Sequence, residues 1–390
     1  MILLEQAREI VLKETVATGT ERVEMQDSLG RVLAEDIFTD TDMPPFDKSA
    51  VDGYACRAED LKRNLSILET IPAGVTPKAA VGPGNCSKIM TGAMMPEGAD
   101  CVFMVEDAEE FVAGTVRFRG RRTSPNICYK GEDIKAGDRV LDAGTLIRPQ
   151  EVAVLAATGS TEPLVHLQPR VSVVTTGDEL VRPSVKISGA KIRNSNSYQL
   201  EAQIRRTGAI VHNLGIVSDD RHSIREMIGD ALSGSDIVLL TGGVSMGDFD
   251  YVPAIMKSMG IDILFKTIAI QPGKPTVFGK YRKKLIFGLP GNPVSSFVLC
   301  EMLVKPAIFR MMGWKGSAPV YRMVLGADIK RRKSDRKMLI PVAIRDGELF
   351  PVDYHGSAHI NAYASADGIV TMEIGVNELK KGSFADVRPV

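Results

Sequence analysis

The stretch 170–312 constrains the fold more than any other part of the chain, because short apolar segments alternate there with helix-length polar ones. Apolar runs at 171–175, 211–217, 237–240, 263–270 and 285–287 are separated by amphipathic stretches at 197–207, 221–233 and 251–259, and a further one follows at 294–311. Strands that recur between helices bury both faces when helices cover both sides of a parallel sheet. A doubly wound α/β domain is therefore predicted. From 23 to 169 the texture is different: short alternating segments such as 101–105, 115–119 and 139–141 are broken by Gly and Pro, which reads as mostly β. Beyond 316, short strands with hairpin signals at Asp346-Gly347 and Lys381-Gly382 predict a small β-barrel or sandwich. The expected fold class is thus a multidomain α/β chain with a β-rich N-terminal half and a small C-terminal β-barrel.

Charge narrows the function. The chain of 390 residues carries 48 Lys plus Arg against 48 Asp plus Glu, so it lacks the positive field of a duplex nucleic-acid binder. No apolar run approaches the roughly 18 residues needed to cross a bilayer. Around Leu3, Leu4, Ala7, Ile10 and Val11, the residues Glu5, Glu9 and Lys13 give an amphipathic helix rather than a signal peptide. Five cysteines with no CxxC pair point to reduced thiols, and a cytoplasmic location is expected.

In an open parallel sheet the ligand crevice lies beyond the carboxyl ends of the strands. Here the strands run into Thr176-Gly177-Asp178-Glu179, Ser218-Asp219-Asp220, Thr241-Gly242-Gly243-Val244-Ser245 with Asp248 and Asp250 beyond, Gln271-Pro272-Gly273-Lys274-Pro275, and Pro290-Gly291-Asn292-Pro293. All five are predicted to face one crevice. Glycine-rich turns offer bare amides to phosphate oxygens, whereas the carboxylates repel phosphate unless a cation intervenes. Oxygen-only ligands that keep some waters suit Mg²⁺ better than Zn²⁺, and the five histidines show no metal-ligand spacing. There is no GxxxxGK[ST] and no GxGxxG, which disfavours an ordinary ATPase or dinucleotide dehydrogenase.

Each motif also has a plainer reading. Gly242-Gly243 alone fits an ordinary tight turn, and Asp178, Asp219 and Asp220 singly fit helix N-caps. It is their joint placement after successive strands that points to a site. Pro44 to Tyr54 is too turn-rich for a strand and reads either as an interdomain linker or as a loop carrying Asp47, Ser49 and Asp52. The basic clusters 280–284 and 330–333 read as solvated faces.

Taken together, Pro45-Phe46-Asp47-Lys48-Ser49-Ala50-Val51-Asp52-Gly53-Tyr54, Met90-Thr91-Gly92-Ala93, Gly131-Glu132-Asp133-Ile134, the Thr176 and Gly242 motifs, Pro272-Gly273-Lys274-Pro275 and Leu289-Pro290-Gly291-Asn292-Pro293 closely resemble the MoeA family of molybdopterin molybdenumtransferases, whose fold also forms the E domain of gephyrin. The motifs follow one another in family order along nearly the whole chain. The resemblance implies four domains: 1–43 with 134–168 as a β-rich linking domain carrying the N-terminal helix, 44–133 as an inserted β-rich lobe, 169–315 as a MogA-like α/β domain that binds molybdopterin, and 316–390 as the barrel. It implies a homodimer and a Mg²⁺-dependent reaction in which molybdate enters adenylylated molybdopterin, releasing AMP and molybdenum cofactor. A MogA-like adenylyltransferase and molybdoenzyme apoproteins are the implied partners, with no nucleic acid and no membrane.

By position, the resemblance makes Asp52, Thr91 and Asp133 functional residues of the β-rich lobe, set across the partner's crevice in the dimer. It makes Glu179, Asp219 and Asp250 crevice carboxylates, with Asp219 and Asp250 as Mg²⁺ ligands, and it assigns charge balance to Lys266 and Lys274. Gly242, Gly243, Ser245, Pro290, Gly291, Asn292 and Pro293 shape the turns, and Ser357 adds a hydroxyl from the C-terminal domain. Two departures fall on the anion-binding side. Many relatives carry Lys where Gln271 stands and Arg near Pro341, where Arg336 and Lys337 are the nearest basic residues. The alternatives to the enzyme are a tungstate-preferring paralogue, a cofactor carrier and a gephyrin-like scaffold.

Overall fold

The computed structural model describes residues 1–244 and 251–390. The chain divides into two compact units, one formed by 1–35, 143–152 and 162–390 and the other by 36–142 with 153–161.

The first unit opens with α1 (Leu4–Glu14), which buries Ala7 and Val11 on one stripe, the face expected from the spacing of its apolar residues. The second unit is built on a six-stranded sheet. Its strands are β1 (Gly53–Cys56), β2 (Asn64–Ile71), β3 (Asn85–Ile89), β4 (Cys101–Met104), β5 (Ala108–Val112) and β6 (Thr115–Phe118), in the order β4-β1-β3-β2-β6-β5. The β2–β3 pair is parallel and the other pairs are antiparallel. The segment read as too turn-rich for a strand therefore ends in one. β1 is fully buried, and Gly53 is essential to it, since a Cβ there would lie 2.1 Å from the Phe103 carbonyl oxygen.

The α/β part of the first unit contains β7 (Arg170–Thr176), α2 (Asn196–Arg205), β8 (Ile210–Val217), α3 (Arg221–Gly234), β9 (Ile237–Thr241), α4 (Val252–Ser258), β10 (Asp262–Thr267), β11 (Pro275–Tyr281), β12 (Lys284–Leu289) and α5 (Pro293–Leu299). The sheet order is β8-β7-β9-β12-β11-β10. Every residue of the central strand β9 is buried. Its alternation splits the core, with Ile237 and Leu239 on one face and Val238 and Leu240 on the other, which is the burial a strand covered by helices on both sides demands. Helix α3 turns Ile224, Ile228, Ala231 and Leu232 inward, and the Asp220 carboxylate caps it by accepting from the amides of His222 at 2.9 Å and Ser223 at 3.2 Å.

The sheet is not wholly parallel. β11 lies antiparallel to both β12 and β10 and was not among the expected strands. It joins β12 through a tight turn in which Arg282 has φ +56°, so the basic cluster 280–284 is a hairpin with assigned contacts rather than a free face. Lys280 pairs with Glu14 at 2.5 Å, and Lys284 donates to the Ser235 carbonyl at 2.9 Å.

The C-terminal strands β13 (Tyr321–Leu325), β14 (Lys337–Arg345), β15 (Glu348–Pro351), β16 (Gly368–Met372) and β17 (Phe384–Pro389) pair in a ring, β14-β15-β13-β17-β16-β14, which closes a small barrel around Leu325, Val342, Leu349 and Val370. Asp346 and Gly347, both at positive φ, turn the expected β14–β15 hairpin. The second expected hairpin is absent: the strand before Lys381-Gly382, Glu378–Leu379, pairs with Ile329–Lys330 instead of β17. Arg331, also read as solvated, instead donates to the carbonyls of Val376 and Arg336 at 2.7 and 2.6 Å.

Candidate active site

The carboxyl ends of β7, β8, β9 and β12 surround a cavity of about 510 Å³. Each of the five strand-end motifs contributes to its wall: Thr176, Gly177 and Glu179; Asp219; Thr241, Gly242, Gly243 and Val244; Pro275; and Pro290, Gly291, Asn292 and Pro293. That convergence follows from parallel strands ending on one side of the sheet.

The turns are shaped by close backbone approach. Gly242 has φ +91°, and a Cβ on it would fall 2.6 Å from the Thr176 carbonyl oxygen and 2.7 Å from its hydroxyl. The turn after β9 can therefore be tight only with glycine. Asn196, at the start of α2, donates to the Gly291 carbonyl at 2.7 Å, and Gln199 donates to the Pro293 carbonyl at 2.8 Å, which pins the Pro290–Pro293 loop against that helix. The barrel segment reaches the same wall: Ser357 accepts from the Val294 amide at 3.1 Å, and the neighbouring Ala358 lines the cavity.

The polar lining is incompletely satisfied. Among the described residues, the buried hydroxyls of Thr175, Thr176 and Thr241, and the side-chain oxygen of Asn196, have no hydrogen-bond partner. Buried polar groups are nearly always paired, and leaving one unpaired costs about 1–3 kcal/mol. All four belong to residues of the cavity wall. Carboxylates flank it as well. The amide of Asp178 donates to the Asp219 carboxylate and that of Asp219 to the Asp178 carboxylate, each at 3.3 Å, so the first two strand-end loops brace one another.

Of the predicted residues, Glu179, Asp219, Gly242, Gly243, Pro290, Gly291, Asn292 and Pro293 meet at this cavity. Ser245 and Asp250 lie outside the described residues. Lys266 and Lys274 are exposed and are not among the lining residues, although Pro275 next to Lys274 is. Ser357 contributes its backbone carbonyl to the loop contact rather than a hydroxyl to the wall. The substitutes considered for the missing arginine do not fill its place: Lys337 is held by Glu5 and by Glu373 at 3.0 Å, and Arg336 faces Asp335 at 3.5 Å. Among the described residues the basic side chain at the wall is Arg193, which sequence reasoning did not single out. The run Arg193-Asn194-Ser195-Asn196 just before α2 was the available signal, since Asn and Ser cluster at helix starts.

In the second unit, Asp52 and Thr91 are brought together. The Thr91 amide and hydroxyl both donate to Asp52 Oδ1, at 2.6 and 2.7 Å, and these two bonds, the backbone one foremost, hold the carboxyl below the usual carboxylate range. Asp133 is exposed and donates its amide to the Met43 carbonyl at 3.0 Å. Asp47 and Ser49 serve the loop itself, Asp47 accepting from the Lys130 amide at 2.7 Å and Ser49 donating to the Val51 carbonyl at 2.6 Å.

Comparisons with known proteins agree along the whole chain. The family profile described as MoeA N-terminal region (domain I and II) matches residues 2–159, that described as probable molybdopterin binding domain matches 172–310, and that described as MoeA C-terminal region (domain IV) matches 322–390. The chain is 34% identical to a molybdopterin molybdenumtransferase of Staphylococcus epidermidis, covering 99% of this chain and 95% of the relative. It is 32% identical to one of Haemophilus influenzae, with 100% and 98% covered. Among solved structures, the molybdopterin biosynthesis moeA protein of Pyrococcus horikoshii OT3 superposes with a TM-score of 0.86 at 30% identity over 100% of both chains.

Proposed function

The chain belongs to the MoeA family, and from that premise we propose that it is a molybdopterin molybdenumtransferase, inserting molybdate into adenylylated molybdopterin with release of AMP. The observation that carries this reading is the cavity of about 510 Å³ at the strand ends, where all five strand-end motifs meet. A polar heterocycle carrying a phosphorylated arm suits such a wall, hydroxyls meeting its donors and acceptors and glycine turns admitting its phosphates.

The electrostatics set the roles. Molybdate is a dianion and the adenylylated substrate carries phosphate, so cations must offset their repulsion. Arg193 at the wall is placed to do so, with Lys274 beside Pro275 completing the charge balance and Lys266 further along β10. Glu179 and Asp219 face the cavity as oxygen donors. Among the described residues no three ligating side chains converge into a ready-made metal site; Mg²⁺ would be held by Asp219 at the cavity and by Asp250, which lies outside the described residues, with water completing its shell. When bound, the ion neutralises phosphate charge. The chain's own residues do the rest: the Gly242-Gly243 and Pro290–Pro293 turns fix the approach, and the threonine hydroxyls orient the bound molecule. Asp52, kept ionised by Thr91, and Asp133 are read as serving the partner protomer's crevice in the dimer that the family resemblance implies.

The remaining assignments rest on the same premise. We read the protein as a cytoplasmic homodimer of four domains per chain, with a MogA-like adenylyltransferase before it and molybdoenzyme apoproteins after it. Among the described residues no helix is long and apolar enough to cross a membrane.

The test is AMP release from purified protein given adenylylated molybdopterin and Mg²⁺, with molybdate titrated against tungstate and Asp219→Asn as control. Molybdate-stimulated release lost in Asp219→Asn is the expected result. Stimulation by tungstate at far lower concentration would replace the proposal with a tungstate enzyme, and no release with either oxyanion would leave a carrier or scaffold.

A further inference from the structure

Three cysteines sit side by side in the second unit. In the register of its sheet, Cys56 on β1 is directly opposite Cys86 on β3 and directly opposite Cys101 on β4. Opposed residues on neighbouring strands share a face, and all three thiols are buried in the same cluster with Tyr54, Leu65, Phe103 and Phe118. The Cys56 and Cys101 sulfurs are 3.5 Å apart. A disulfide needs about 2.0 Å between sulfurs, so closure requires the two sulfurs to approach by about 1.5 Å.

We propose that Cys56 and Cys101 are a modification site, a dithiol pair that a hydroperoxide converts reversibly to a cross-strand disulfide. β4 is the edge strand of its sheet and Cys101 is its first residue, so opening of that edge exposes Cys101 before the interior thiols. The thiol pair is also polarised. Cys101 is eased towards ionisation by its contact with Cys56, while that contact and burial hold Cys56 protonated. Cys86, away from such a partner, is pushed up to about 12 by burial alone. Its place on the edge strand makes Cys101 the attacking sulfur and Cys56 the resolving one.

The step balances. The Cys101 thiolate attacks one oxygen of hydrogen peroxide, the O–O bond breaks, and a sulfenic acid and hydroxide form. The Cys56 sulfur then displaces the sulfenic hydroxyl, forming the S–S bond, and its proton leaves with that oxygen as water. In sum two thiols lose two electrons and two protons, and the peroxide becomes two waters. The link ties together the strands next to Asp52, whose carbonyl accepts from the Val105 amide just beyond β4 at 3.1 Å.

The experiment treats the full-length reduced protein with hydrogen peroxide, then alkylates it and maps peptides without reduction. The expected result is loss of two of the five free thiols, a linked peptide joining Cys56 to Cys101, and its disappearance on adding dithiothreitol. Cys101→Ala should abolish the link, while Cys86→Ala should leave it intact. A link from Cys56 to Cys86, oxidation confined to the half-buried Cys128, or five thiols surviving would each overturn the proposal. The mapping on unaltered protein decides the matter even where a variant folds poorly, and it does not depend on the proposed reaction.

Discussion

The cavity wall of the α/β part and the Asp52 loop of the β-rich unit treat their polar groups in opposite ways. At the α/β cavity, Thr175, Thr176, Thr241 and Asn196 each keep a buried polar atom without a partner among the described residues. In the β-rich unit, Asp52 is exposed yet already takes two hydrogen bonds from Thr91. The first arrangement costs stability in the free protein, and under the proposed function binding relieves it. The second fixes a charge in advance, because the donors favour the ionised carboxyl whether or not anything is bound. A binding wall and a preset charge are different devices, and substitutions should separate them.

The largest effect should come from filling the turn that shapes the wall. Gly242→Val places a branched side chain where even a Cβ would lie 2.6 Å from the Thr176 carbonyl oxygen, at a φ of +91°. Displacing the turn by an ångström should lower molybdate-stimulated AMP release on the order of 100-fold. A variant that kept its rate would show that the cavity is not where the substrate reacts.

Next come the unpartnered hydroxyls, where the contrast predicts a signature of opposite signs. Thr175→Val and Thr241→Val keep the shape and delete a buried group that lacks a partner. Stability should rise by about 1 kcal/mol, read as a denaturant midpoint, while affinity for the adenylylated pterin falls about tenfold. If both stability and affinity fell, the hydroxyls would be satisfied structural groups and the reading of the wall would fail.

Much of this wall was legible in the sequence, because strand-end loops of a parallel sheet must share a side and those loops are short and rich in Gly, Pro and Asp. The Asp346-Gly347 hairpin of the barrel and the Asp220 cap followed from local patterns of the same kind. What escaped was set by tertiary pairing. Strand β11 begins at a proline and interrupts the parallel order, so nothing in a strand–helix rhythm announces it. Arg193 reaches the cavity through the chain's path before α2, while Lys266, near the carboxyl end of β10, is not among the residues that line it. The clusters 280–284 and 330–333 read as solvent-facing because charge runs usually are, yet Lys280, Lys284 and Arg331 find partners far away in sequence. The Cys56–Cys101 contact likewise depends on which strands are neighbours, which spacing alone does not give.

The smallest effect belongs to the preset charge, and its sign follows from which donor is larger. The folded Asp52 carboxyl ionises below its ordinary range, chiefly through the Thr91 amide and secondarily through the Thr91 hydroxyl. A depressed carboxyl contributes its share above the unfolded value and loses it as pH falls through the lowered one. Thr91→Val removes the hydroxyl and leaves the amide, so the Asp52 titration should move only part of the way back towards about 4. Carbon-detected NMR of the carboxyl should record that partial upward shift, and the acid limb of kcat/KM should move up with it. Asp52→Asn keeps an acceptor for Thr91 but removes the charge, and should flatten this part of the profile while leaving the melting temperature nearly unchanged. If the Thr91→Val titration moved and the rate profile did not, Asp52 would be a structural anchor for Thr91, and the contrast between a binding wall and a preset charge would reduce to the cavity alone.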